Sequence, residues 1–131
     1  MTTEVIPNRP RALMVDDNAD VLATTADLLE AEGFNVTRVA TGEAALACLG
    51  SGETFRLMVT DYAMPGLNGT DLACWALERF PVLKVLVITG FPVAERISAL
   101  PSGMALLAKP FRRDALKRQL RSLFNTDMFG R

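Results

Sequence analysis

Short apolar runs alternate along this chain with longer stretches in which apolar residues recur every three or four positions. The runs cover residues 12–16 (ALMVD), 35–40 (NVTRVA), 56–61 (RLMVTD), 84–89 (KVLVIT) and 104–109 (MALLAK). Most are apolar throughout rather than alternating, the pattern of strands covered on both faces of a parallel sheet. Between them, Val21, Leu22, Thr25, Leu28 and Leu29 share one helical face, as do Leu72, Ala73, Ala76, Leu77 and Phe80. Each stretch predicts an amphipathic helix lying on the sheet. A further helix is expected over residues 42–49, and a short one from Pro92, suited to a first helical turn, to before Pro101. A last helix, over residues 112–124, turns Leu116, Leu120, Leu123 and Phe124 inward and Arg112, Arg113, Lys117, Arg118 and Arg121 outward. That basic face reads as a solvated helix surface rather than a docking patch.

Five βα units in series imply an α/β protein with an open, doubly wound parallel sheet, because parallel strands need crossover helices and the crossovers are right-handed. A chain of 131 residues has room for one such domain, placed at residues 11–124. Residues 1–10, with Pro7 and Pro10, and residues 125–131 read as flexible tails.

Composition acts mainly by exclusion. Half the residues are hydrophobic, and 14 Lys plus Arg stand against 15 Asp plus Glu, so neither nucleic acid nor a membrane is expected as a partner. Cys48 and Cys74 fall inside helical stretches at no metal-ligand spacing, and no run approaches the roughly 18 apolar residues of a membrane span. The opening residues carry no signal-peptide pattern, and a cytoplasmic location is expected. The chain has no histidine, which removes imidazole acid-base chemistry and His metal ligands together.

Sheets of this class bind ligands at the carboxyl ends of their strands, and four of the five runs end there in polar residues: Asp16-Asp17, Asp61, Thr89 and Lys109. Singly, each is an ordinary way for a strand to enter a turn. Together they gather three carboxylates around one ammonium, an arrangement that a divalent cation would relieve. With oxygen ligands only, Mg²⁺ or Mn²⁺ fits best, and Mg²⁺ commonly shares itself with a phosphate. A carboxylate can act as the nucleophile that forms an aspartyl phosphate, while the metal and Lys109 neutralise the phosphoryl oxygens and Thr89 supplies a hydroxyl to one of them. No phosphate-binding glycine loop, G-x-S-x-G elbow or dinucleotide fingerprint competes with this constellation.

MVDDNAD, VTDYAMPGLNG, ITG and AKPF, in that order, resemble the receiver domain of bacterial two-component response regulators over residues from about 11 to 124. The resemblance implies a flavodoxin-like fold of strand order 2-1-3-4-5 and makes Asp61 the phosphoacceptor. Asp17 is then the direct Mg²⁺ ligand, with Asp16 acting mainly through water; Asp61 and the main-chain carbonyl of Ala63 complete the protein's share. Thr89 matches the switch hydroxyl and Lys109 the phosphate-binding lysine, followed by Pro110 in the cis form. The implied partner is a histidine kinase or histidine phosphotransfer protein. A phosphorylation-dependent homodimer through the helix from Pro92, the last strand and the last helix is also implied.

The chain departs from the family pattern at Leu106, where receivers commonly carry an aromatic that turns inward on activation. Leu100-Pro101-Ser102-Gly103 followed by LLAKPF is similar to receivers attached to hybrid sensor kinases. The chain therefore reads either as a stand-alone regulator or as a receiver cut from a longer protein. Ala63 and Phe91 are apolar and cannot orient an attacking water, so a long-lived aspartyl phosphate is expected.

Two other functions compete with the signalling phosphoacceptor, which is not an enzyme in the usual sense. A metal-dependent phosphohydrolase of the D-x-D kind needs an acid-base Asp two residues after the nucleophile, where this chain has Ala63. A degenerate receiver serving only as a binding module is hard to reconcile with five intact site residues.

Overall fold

The computed structural model describes residues 9–64, 66, 68–90 and 101–124. The helix expected from Pro92, together with Phe91 and most of both expected tails, lies outside the described residues. Five strands, β1 (Arg11–Val15), β2 (Asn35–Val39), β3 (Leu57–Asp61), β4 (Lys84–Thr89) and β5 (Met104–Ala108), form one sheet in the order β2-β1-β3-β4-β5. Every pairing is parallel, as the uninterrupted apolar runs predict.

Alternation along each strand divides the core in two. Leu13, Val15, Met58, Val85, Val87 and Met104 face α2 (Gly42–Leu49) and α3 (Gly69–Arg79). Ala12, Met14, Leu57, Val59, Leu86, Ile88, Ala105 and Leu107 face α1 (Ala19–Ala31) and α4 (Arg113–Leu123). Each large side chain buried this way stabilises the fold by about 1.5–3 kcal/mol. Edge strand β2 is only half-buried, which explains why its run is the most polar of the five.

Three helices begin on a side-chain cap at the carboxyl edge of the sheet. Asn18 accepts from the Asp20 and Val21 amides, Thr41 from Ala44 and Asn68 from Asp71, and each cap is worth about 1 kcal/mol. Helix α4 starts differently: Arg112 occupies the cap position and makes no capping bond. Arg113, Arg118 and Arg121 are exposed as expected while Lys117 is half-buried, and Arg113 reaches Glu32 at 3.1 Å. Cys48, Cys74 and Trp75 pack against the α2–α3 core as partly buried residues, the two thiols free and the indole ring 4.4 Å from the Arg79 guanidinium.

Candidate functional site

Register decides which strand ends meet. Val15 pairs with Thr60, so Asp16 leaves β1 level with Asp61 at the end of β3. Asp61 pairs with Ile88 and Thr89 with Ala108, so Thr89 and Lys109 extend just past Asp61 at the same edge. The chain is fastened there by two short bonds, Tyr62 N–H to the Ile88 carbonyl and Lys109 N–H to the Thr89 carbonyl, both 2.7 Å. The Lys109–Pro110 peptide is cis.

At this edge Asp16, Asp17 and Asp61 each offer a carboxylate oxygen within 4.8 Å of the others. Asp16 and Asp61 are buried and Asp17 is exposed. Lys109 Nζ lies 3.1 Å from Asp61 Oδ1. One Asp16 oxygen, Oδ1, accepts the Asn18 amide at 2.9 Å, whereas Oδ2 is buried with no protein partner. Burial holds the Asp16 carboxyl above its ordinary range; the Asn18 amide opposes this, Asp61 adds to it, Lys109 opposes it and Asp17 adds to it. A buried carboxylate oxygen without a donor is costly. A cation among the three converging carboxylates would satisfy it, and an all-oxygen set without His or Cys fits a hard divalent ion such as Mg²⁺.

The side chain of Thr89 is buried at the end of β4, while Ala63 is exposed in the loop after Asp61. Leu106, where an aromatic was the family expectation, is partly buried against the α2–α3 core.

Three contributions were not read from the sequence. Asn18 caps α1 and holds Asp16 with its own amide, a role signalled by DDNAD, in which an Asn precedes a helix. The Thr60 hydroxyl bonds the Asp61 carbonyl at 3.1 Å. Gly69 opens α3, and a side chain there would overlap the Asp61 carbonyl oxygen.

The model for the response regulator receiver domain matches residues 12–121. The response regulator receiver protein CpdR of Brucella abortus is 36% identical over 103 residues, 77% of this chain and 85% of CpdR. Among solved structures, a response regulator receiver protein from Sinorhizobium medicae superposes with a TM-score of 0.81 at 29% identity, covering 91% of this chain and 97% of that one. TrrA from Thermotoga maritima, in complex with Mg²⁺-BeF, gives 0.74 at 27% identity over 87% and 98% of the two chains. The sheet order, the acidic edge and these likenesses agree: the chain belongs to the response regulator receiver domains of two-component systems.

Proposed function

We propose that the chain is a signalling phosphoacceptor in which Asp61 takes a phosphoryl group from a phosphohistidine on a partner kinase or phosphotransfer protein. The observation that carries this reading is the convergence of Asp16, Asp17 and Asp61 with Lys109 Nζ on Asp61 Oδ1. An Asp61 oxygen attacks phosphorus in line, a P–O bond forms, the P–N bond to the donor imidazole breaks, and the departing nitrogen keeps the electron pair. Mg²⁺, held by Asp16, Asp17, Asp61 and the Ala63 carbonyl, supplies counter-charge to the carboxylates and the phosphoryl oxygens; Mn²⁺ has the same donor preference. That TrrA binds Mg²⁺-BeF supports a pairing of cation and anion in this chain too.

Lys109 exchanges its carboxylate partner for a phosphoryl oxygen, and the Thr89 hydroxyl donates to another. Those new contacts bias an equilibrium between two arrangements of the Thr89 segment and the adjoining surface, which is how the signal leaves the site. Leu106 offers no ring to follow Thr89, so the Thr89 backbone carries the change. Phosphorylation-dependent pairing of two copies through the last strand and α4 is one outlet. No helix among the described residues is long and apolar enough to cross a membrane. A cytoplasmic setting suits a partner that presents a phosphohistidine.

Turnover as a phosphohydrolase is disfavoured because Ala63 stands where an acid-base carboxylate is needed. The test is to incubate the chain with acetyl phosphate, with Mg²⁺ or with excess EDTA, and weigh the intact protein. One added phosphoryl group per chain, lost with EDTA, is expected. No adduct under either condition overturns the reading.

A further inference from the structure

Thr60 is the single hydroxyl in an otherwise apolar stretch of β3, LMVTD, and it is fully buried. A hydroxyl in such a place is destabilising unless it is hydrogen-bonded. Thr60 Oγ1 donates to the main-chain carbonyl of the next residue, Asp61, at 3.1 Å and lies 4.0 Å from Met64 Sδ. Gly69 also stands against that carbonyl: a Cβ there would overlap the oxygen and come within 2.9 Å of its carbon and 3.0 Å of Tyr62 Cα. The Gly69 amide donates to the Tyr62 carbonyl at 2.8 Å, and the Tyr62 amide to the Ile88 carbonyl at 2.7 Å. The Asp61–Tyr62 peptide, which leaves the Cα that carries the Asp61 side chain, and the Tyr62–Ala63 peptide after it are therefore held from strand, helix and neighbouring strand at once.

We infer that Thr60 is a positioning residue for phosphoryl transfer: its hydroxyl, with the bare Cα of Gly69, clamps the Asp61 carbonyl and so fixes where the Asp61 carboxylate points. The inference rests on Asp61 as phosphoacceptor. The clamp has a load to bear, because Asp16 and Asp17 repel the Asp61 carboxylate while Lys109 attracts it, and a nucleophile displaced by a fraction of an ångström loses its in-line geometry. The Thr60 hydroxyl bonds the main chain of Asp61 rather than its carboxylate, and acts through that main chain.

Two variants separate the hydroxyl from the space it fills: Thr60→Val keeps the shape without the donor, and Thr60→Ser keeps the donor. With Mg²⁺ saturating, the maximal rate of phosphorylation by acetyl phosphate falls about tenfold in Thr60→Val at an unchanged half-saturating donor concentration, and Thr60→Ser restores it to within about twofold. A native maximal rate in Thr60→Val, or a Thr60→Ser variant equally slow, overturns the inference. Amide exchange at Gly69, measured without phosphodonor, reads the clamp separately: it accelerates in Thr60→Val and not in Thr60→Ser. Unchanged Gly69 protection in Thr60→Val overturns the clamp whatever the kinetics. Native chain that forms no adduct overturns the function proposed above, and the exchange measurement alone then decides the clamp.

Discussion

Lys109 Nζ sits 3.1 Å from Asp61 Oδ1, although their strands are not neighbours: β4 lies between β3 and β5. Two strand spacings amount to about 10 Å, a gap that the four-carbon stem of lysine bridges over the top of β4. Removing the ammonium in Lys109→Met takes away the one cation in contact with the Asp61 carboxylate among the described residues. The rate of phosphorylation by acetyl phosphate is expected to fall about 100-fold, measured by intact mass against time. Lys109→Arg should not restore it, because a planar fork does not replace a compact point charge at this spacing.

Asp16 gives a prediction with a definite sign. Its carboxyl titrates above the ordinary carboxylate range chiefly because it is buried, so the folded chain binds this proton more tightly than the unfolded chain. The stability associated with the protonated form is present below the unfolded value of 3.8 and is lost as pH rises through the higher folded value. At neutral pH and without metal, Asp16→Asn should therefore raise the melting temperature, by a few degrees for a stability gain of about 1 kcal/mol. Adding millimolar Mg²⁺ should stabilise the native chain clearly and the variant little. Thermal melts of both proteins with Mg²⁺ and with EDTA check this, and a variant less stable than native in EDTA contradicts it.

Gly69→Ala places a methyl group against the main chain of Asp61. Backbone has less freedom to yield than a side-chain tip, so a loss of about 1–3 kcal/mol is expected in urea unfolding. Gly66 meets nothing within 4 Å but holds φ at 82°, so Gly66→Ala should cost about 1–2 kcal/mol through conformation alone and leave the phosphorylation rate of the folded protein closer to native.

The lifetime of the aspartyl phosphate depends on what can direct water at phosphorus. Ala63, exposed in the loop after Asp61, carries no group able to do so. A half-life of minutes or longer with Mg²⁺ present is expected, and decay within seconds contradicts this. Ala63→Glu, which offers a carboxylate to a water, should hasten decay about tenfold, followed by loss of the phosphoryl mass after the donor is removed.

The sequence made the site visible because polar residues interrupt apolar runs at one end of the strands. Asp61, Thr89 and Lys109 were legible as strand endings before any register was known, and the observed pairing brings them to one edge. Helix α2 and strand β4 run over the spans that periodicity predicts. The order of the strands was legible only through family resemblance, since burial on both faces makes β1, β3 and β4 look alike. The clamp was not legible: the contact between Asp61 and Gly69 joins main-chain atoms eight residues apart, and Thr60 reads as one more β-branched strand residue until its hydroxyl is seen to have a partner. Nor did spacing reveal that one oxygen of Asp16 is held by the Asn18 amide and the other is buried without a protein partner.

The most direct test of the central claim is to locate the phosphoryl group. Native chain and Asp61→Asn are incubated side by side with acetyl phosphate and Mg²⁺, weighed intact, and digested at low pH to find the modified peptide. One phosphoryl group confined to the peptide containing Asp61, and none on the variant, is the result expected. An adduct of equal size on Asp61→Asn, or a phosphoryl group on any other peptide of the native chain, would contradict the assignment of Asp61 as the phosphoacceptor.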